Sequence, residues 1–389
     1  MARIAFQTRS GVAGSSMCST PNSASASTIA FATAASPGVI PRSLPPRMPN
    51  GFVVEGTSLI SVSNAGSKSA PRVVEVDRQK NIVWSFGSGD PTLCNPGPGA
   101  IIGTNDVERL AGGLTLIAGT GIPAGASSFM PNGCVDNRVI VVDRAGKIVF
   151  QYGQAGVTGS GPNELNVPVF ALQTPSGDYL ITDQGNNRVI LVSSQKQILF
   201  EYGPTSGPGA LNSPNSAELL PNGKILMADE NNNRVIEVDK AGKFTVDFSA
   251  ADGLNIVAFA SRLPNGDTLI TDSGNNRIVE FDPAHKIIFE YFTNKQTGSN
   301  PSPLPTNAVR LNNGTILIAD QFNDRVLIIS PFKAILFQYG MLNVVGNGPN
   351  QLDGPYNAMS ICDYTGVTQP PASSATTTII SERALQGHR

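Results

Sequence analysis

The chain has 389 residues, of which 40 are glycine and 29 are proline, while only 14% are charged. This composition favours many short strands joined by tight turns. Residues 51–389 carry 23 basic against 29 acidic side chains, so they lack the basic surface on which nucleic-acid binding depends. The sequence contains no run of about 18 apolar residues, so it does not predict a helical membrane span.

The first 48 residues differ from the rest of the chain. They are rich in Ser, Ala, Thr and Pro, contain no acidic residue, and show no hydrophobic period. We therefore predict that residues 1–48 form a leader outside the folded domain. An acid-free, Ser-rich leader is typical of a transit peptide, and the small residues around Ala32 and Ala34 resemble the end of a signal peptide. Export or organelle targeting is one hypothesis, and a disordered tail is the other.

The rest of the chain is repetitive. Each repeat contains a turn, an apolar strand ending in Asp, the triplet Asn-Asn-Arg or Asn-Asp-Arg, a second apolar strand, another turn, and a third strand ending in an aromatic residue. Gapless copies occupy residues 175–202, 221–248, 264–291 and 312–339, and weaker copies occupy 139–152 and 73–86. The motif arginines that mark these units are Arg72, Arg138, Arg188, Arg234, Arg277 and Arg325.

Repeats of about 45 residues with several short strands are typical of propeller blades. We therefore predict an all-β fold: a six-bladed β-propeller of four-stranded antiparallel blades over residues 49–368, followed by a C-terminal tail over 369–389. A blade-entry pattern recurs at residues 348–352. We expect residues 356–363 to complete the first blade by pairing with Leu59–Val62, which would leave no open sheet edge. We expect such a closed domain to be a monomer.

The charged residues of the motif are predicted to be structural. Asn tolerates the left-handed backbone of a tight loop, and Arg can reach back to the Asp five residues earlier through a charge-assisted hydrogen bond. A single active site would not be copied into each blade. The predicted pairs are Asp183 with Arg188, Asp229 with Arg234, Asp272 with Arg277, and Asp320 with Arg325.

The cysteines and histidines restrict the chemistry further. Cys94 and Cys134 fall in two long loops of the second blade, and we predict a disulfide between them in an oxidising compartment. The four cysteines form no CxxC pair. His285 and His388 do not lie on long loops, so neither a zinc site nor a Ser-His-Asp device is expected.

A propeller has two unlike faces. We call the side with the second-to-third strand loops and the blade connections the loop face, and the opposite side the turn face. Long loops on a rigid scaffold are where binding usually takes place. The residues just before each inner-strand Ala are expected to form a ligand pocket at the loop-face mouth of the central channel: Asp106, Phe170, Ser216, Phe259, Asn307 and Asn357.

Three members of this ring carry oxygen ligands. Asp106, Asn307 and Asn357 offer the carboxylate and amide oxygens that calcium accepts, with Glu108 and Glu218 deeper in the channel. A polar channel filled by water is the alternative interpretation.

The repeat core, LITDxGNNRVIxxD, resembles the NHL repeat, and its copies cover residues 50–366. The resemblance implies a propeller fold shared by protein-binding and RNA-binding modules, secreted scaffolds, peptide-amidating lyases, and calcium-dependent lactonases and hydrolases. Fold alone does not choose among them. The leading hypothesis is a scaffold whose loop face binds a protein, peptide, glycan or small molecule. The alternative is a calcium-assisted hydrolase or lactonase with its site at the channel mouth.

Overall fold

The computed structural model describes residues 58–62, 72–87, 94, 96–97, 99–125 and 131–371, of which 58–62 are described by their backbone alone. The predicted leader lies outside this part of the chain. The described residues form β-strands and single 3-10 turns, and no helix among them is long and apolar enough to cross a membrane.

The fold is an all-β propeller of four-stranded antiparallel blades. Five blades are each built from one contiguous segment: β4–β7, β8–β11, β12–β15, β16–β19 and β20–β23. Their strands are Thr104–Arg109, Thr115–Ile122, Cys134–Val142 and Ile148–Tyr152; Pro168–Gln173, Tyr179–Asp183, Arg188–Val192 and Ile198–Tyr202; Pro214–Leu219, Ile225–Asp229, Arg234–Val238 and Phe244–Phe248; Val257–Arg262, Thr268–Asp272, Arg277–Phe281 and Ile287–Phe292; and Asn307–Arg310, Ile316–Asp320, Arg325–Ile329 and Ile335–Tyr339.

The prediction of a six-bladed propeller is wrong, since five blades are each formed by one contiguous segment of the chain. Besides the five contiguous blades, the described residues form one composite four-stranded sheet, in which β24 (Pro355–Ser360) joins β1 (Ser58–Val62), β2 (Arg72–Val76) and β3 (Ile82–Phe86). The antiparallel register pairs Leu59 with Met359 and Ile60 with Ala358. The two ends of the described chain therefore meet in one sheet, because a propeller strand without a neighbour would leave its backbone groups unpaired.

The first strand of each sheet lines a central channel. These inner strands contact one another in the order β24, β4, β8, β12, β16, β20 and back to β24, so β12 lies across the channel from β24. The small side chains of Ala171, Ala217 and Ala308 are fully buried at this ring. Small residues allow the inner strands to approach the axis closely, while larger aliphatic side chains pack between the blades.

The motif loop ties each contiguous blade to the segment before it. In the blade β12–β15, Asp229 Oδ2 accepts from Arg234 Nε at 2.6 Å and from Asn232 Nδ2 at 2.8 Å, while Asp229 Oδ1 accepts from the backbone N–H of Asn212. The equivalent Nε–Oδ2 distances are 2.7 Å for Arg188–Asp183, 2.6 Å for Arg277–Asp272 and 2.8 Å for Arg325–Asp320.

The second Asn of the triplet connects neighbouring blades. Asn233 has a φ of 52°, the left-handed conformation, and its Oδ1 accepts from the backbone N–H of Ile256 at 2.6 Å in the loop that enters the next blade. Asn187 holds Ser213 in the same way, and Asp324 takes this role in the last copy by accepting from Gly354. Asn and Asp combine a tolerated left-handed backbone with a short acceptor, which explains the triplet.

The blade β4–β7 uses a rearranged motif. Gly119 stands where the other blades have Asp, and the carboxylate comes instead from Asp136, which accepts from Arg138 Nε at 2.5 Å. Asp136 also accepts from the backbone N–H of Ile102. A Cβ at position 119 would overlap Ile101 Cδ1 and lie 3.1 Å from the Asp136 carboxyl carbon, so glycine leaves room for both side chains.

Cys94 and Cys134 form a disulfide with a Cα–Cα distance of 5.4 Å, joining the connection into the blade β4–β7 to the start of β6.

Candidate functional site in the central channel

The ring predicted from sequence does converge on the channel. Asp106, Asn307 and Asn357 come from the adjacent strands β4, β20 and β24, whereas Phe170 and Phe259 come from β8 and β16, with Ser216 of β12 between them. All six are buried. The two phenyl rings contact each other with centroids 5.7 Å apart, so one side of the channel is polar and the other aromatic.

The channel contains two cavities at different positions between the loop face and the turn face. The larger cavity, about 50 Å³, is lined by Asp106, Phe170, Phe259, Asn307 and Asn357, but also by residues further along the inner strands toward the turn face. Toward the loop face only about 10 Å³ remains. The larger space therefore extends toward the turn face, and the binding role of the predicted residues stays a prediction. Ser216 lines only the smaller space.

Side chains fill the loop-face end of the channel. The Tyr356 hydroxyl of β24 accepts from Asn215 Nδ2 of β12 at 2.8 Å, across the axis. The same Asn215 amide donates to Glu230, which also accepts from Gln184. Burial raises the pKa of Glu230. This network occupies the position where a ligand would have to enter from the loop face.

The acidic residues of the channel join neighbouring blades. Asp106 Oδ2 accepts from the backbone N–H of Ala171 at 2.9 Å, and Glu108 Oε2 accepts from that of Gln173 at 2.9 Å. Inner strands of adjacent blades share no ladder, so these carboxyl groups satisfy edge N–H groups that would otherwise be unpaired. Glu218 differs, since its Oε2 accepts from the backbone N–H and hydroxyl of Thr368 at 2.7 and 2.6 Å.

Burial makes these carboxyl groups weak acids. It raises the pKa of Asp106 to about 7 and that of Glu218 to about 7, against the opposing effect of the hydrogen bonds that each accepts. The pKa of Glu108 is raised well above its ordinary value by burial and by the charges of Asp106 and Glu218. Within the described part of the chain no Lys or Arg forms a salt bridge with these three acids.

The calcium hypothesis can be compared with this donor set. Asn307 Oδ1 is buried and accepts no hydrogen bond, which is the state of an oxygen available to a cation or water. However, among the described residues no group of three or more His, Cys, Asp or Glu side chains is arranged to hold a metal ion.

The turn-face end is covered by a segment that the repeat pattern does not predict. Residues 361–371, which we call the C-terminal strap, follow β24 and cross the channel mouth, and Tyr364, Val367 and Thr368 line the cavity. No repeat or motif marks these residues. The only sequence signal is a Val-Thr pair shortly after the closing strand.

The loop face carries a rigid aliphatic turn instead of an open channel. Between β23 and β24, Met341, Val344 and Val345 are 37–40% exposed. The backbone of Val344 donates to Met341, and Asn343, with a φ of 56°, donates its own backbone N–H to Asn323. We call Met341–Val345 the aliphatic turn. Two further exposed aliphatic residues of this face are Val135, at the start of β6, and Val157, in the connection between β7 and β8, which are 42% and 38% exposed.

No known protein-family model matches the sequence, and no curated protein is significantly similar to it. Among solved structures, a nidogen/laminin complex is 11% identical with a TM-score of 0.51, covering 81% of this chain and 100% of the matched chain. A protein of unknown function from Bacteroides caccae is 13% identical with a TM-score of 0.50, covering 74% and 97%. These two likenesses show the propeller fold alone. Virginiamycin B lyase from Staphylococcus aureus is 13% identical with a TM-score of 0.46, covering 75% and 90%.

Proposed function

We propose that this protein is an NHL-like propeller that acts as a binding scaffold and recognises a polypeptide partner through its loop face. The observation that carries the proposal is the closed channel beside the exposed aliphatic turn. A cavity of about 50 Å³ is far below the roughly 300–1,000 Å³ of small-molecule pockets. Recognition is therefore expected on the surface.

The loop face is preorganised for such contact. The aliphatic turn is held by one backbone hydrogen bond to the motif loop of the last contiguous blade, from Asn343 to Asn323, and Asn343 Nδ2 donates to the Gly298 carbonyl at 2.5 Å. A loop that is already ordered loses little entropy on binding. Clustered exposed aliphatic side chains favour a protein or peptide partner over a glycan, since apolar surface patches mark protein interaction sites.

The test compares variants of the two faces. We expect that the biotinylated protein captures a partner that Met341→Asp/Val345→Asp fails to retain. Phe332→Asp is the matched control, because Phe332 is an exposed apolar residue, 74% accessible, in the turn between β22 and β23 on the opposite face. Equal loss with both variants, or retention by both, would contradict loop-face recognition. Binding to a glycan array that both variants preserve would replace the polypeptide with a sugar.

A second candidate function is a calcium-assisted hydrolase or lactonase. It is supported by three buried carboxyl groups and the Asn307 oxygen around one cavity. In this proposal Asp106, Asn307 and Asn357 bind the ion, and the strap has to move to admit a substrate. The test is ester or lactone hydrolysis together with thermal melting in calcium and in chelator. Asp106→Asn should abolish both hydrolysis and the calcium-dependent shift, and melting curves that do not respond to calcium would refute this candidate.

A further inference from the structure

The C-terminal strap spans the channel from one side to the other. It leaves β24, passes over β4 where the Tyr364 hydroxyl donates to the Arg109 carbonyl at 2.8 Å, and ends at β12, the strand opposite β24. On the way, Asp363 Oδ2 accepts from the backbone N–H of Asn312 at 2.8 Å. The strap contains no strand and pairs with no sheet.

The contacts at β12 resemble those of a bound peptide. The backbone N–H and the hydroxyl of Thr368 both donate to Glu218 Oε2, while the hydroxyl accepts from the backbone N–H of Leu219 at 2.8 Å. The preceding Val367 packs against the apolar core and lines the cavity. One apolar side chain is thus fitted to a cavity and the next residue to a polar anchor, as in the recognition of extended peptides by pockets and main-chain hydrogen bonds.

Glu218 is set apart from its counterpart in a neighbouring blade. Glu108, at the same point of the repeat in β4, accepts from the inner strand of the following blade. Glu218 instead directs its acceptor to the strap and leaves that blade-to-blade contact unmade. With the strap docked, Glu218 is only 3% exposed. Without the strap, Glu218 and Leu219 would present an acceptor and a donor at the mouth of the channel.

We propose that the turn-face mouth of the channel is a peptide-binding site, which the chain fills with its own strap in the resting state. The site takes an extended peptide of a partner protein in which an apolar β-branched residue directly precedes Thr or Ser. The β-branched side chain occupies the place of Val367, and the hydroxyl and N–H of the next residue bind Glu218 and Leu219. A partner that carries this pattern displaces the strap.

The experiment uses the full chain and a labelled peptide. The probe is a fluorescent peptide of residues 363–371, Asp-Tyr-Thr-Gly-Val-Thr-Gln-Pro-Pro. Val367→Asp puts a carboxylate in place of an apolar side chain that packs against the core and lines the cavity, so the strap should leave its site. Fluorescence anisotropy is expected to show binding to this variant at least tenfold tighter than to the wild type, whose own strap competes. A peptide with valine in place of Thr368 should lose at least tenfold in affinity.

Two controls distinguish loss of peptide binding at this site from an effect of the loop face and from misfolding of the variant. Adding Met341→Asp/Val345→Asp to the Val367→Asp chain should leave peptide binding unchanged, so failure of the loop-face proposal and failure of this one are distinguishable. If Val367→Asp does not fold, Thr368→Val in the full chain serves as the milder release variant. A folded release variant that does not bind the probe overturns the proposal. A wild-type dimer whose straps exchange between copies would overturn the partner-peptide assignment.

Discussion

Removing Arg234 provides a sharp test of the motif loops. Asp229 is fully buried, and the Arg234 side chain that pairs with it is 13% exposed. Loss of one partner of a buried pair costs about 3–5 kcal/mol because it leaves a buried charge uncompensated. Asp229 would keep the donors of Asn212 and Asn232, so we expect Arg234→Ala to lie at the low end, about 3 kcal/mol. For a domain of this size that corresponds to a drop of roughly 5 °C in Tm.

A control lies in the same blade. Lys224 pairs with Glu237 at 2.8 Å, but its side chain is 40% exposed, so Lys224→Ala should leave Tm nearly unchanged. Both variants are compared by differential scanning calorimetry and by guanidinium unfolding. If Arg234→Ala melts within about 1 °C of the Lys224→Ala protein, the motif pair does not stabilise the blade and the structural interpretation of the repeat fails.

Three further outcomes follow from the same contacts. The folded pKa values of Asp106 and Glu218 are about 7 against ordinary values of 3.8 and 4.5, so their contribution to stability is complete below about pH 4 and is lost as the pH rises through 7. The Tm should therefore fall from pH 5 to pH 8, and the double variant Asp106→Asn/Glu218→Gln should flatten that dependence. A wild-type Tm that rises over this range would refute the raised pKa values. Replacing Cys94 and Cys134 by Ser opens a loop with a sequence separation of 40 and should lower the free energy of unfolding by about 4 kcal/mol in denaturant titrations, and an unchanged midpoint would contradict this. Asn233→Ala should lower the free energy of unfolding by about 1–2 kcal/mol, because it strains a left-handed residue and removes the acceptor for the backbone N–H of Ile256. Asn233→Asp should be tolerated, because Asp324 fills the same role in the last copy. Equal loss of stability in both variants would show that the acceptor does not matter.

The repeat made much of the fold predictable. The Asp and Arg recur at the same spacing in four gapless copies, so their pairing and the strands that flank them could be inferred from the residues alone. The same alignment placed Asp106, Phe170 and Asn307 on the channel, because equivalent positions around a ring converge on one axis.

The height of the cavity and its closure could not be predicted in this way. A repeat alignment shows which residues point to the axis, but it does not show which end of the channel stays open. The contact between Tyr356 and Asn215 depends on Tyr356, and no other inner strand has a tyrosine at that point of the repeat. The strap is also unique, so Thr368 carries no periodic signal. Glu108 and Glu218 could be placed near the channel from their position, but their different partners depend on whether the strap or a neighbouring blade reaches them.

The central claim is that the loop face recognises a polypeptide partner. Hydrogen–deuterium exchange with mass spectrometry tests it most directly, by comparing the free protein with the protein bound to the partner that it captures. The account predicts slower exchange in residues 340–354 and in the contacting loop around Gly298, with no change in the turns that contain Lys224 and Phe332. Protection confined to the turn face, with the aliphatic turn unchanged, would contradict it.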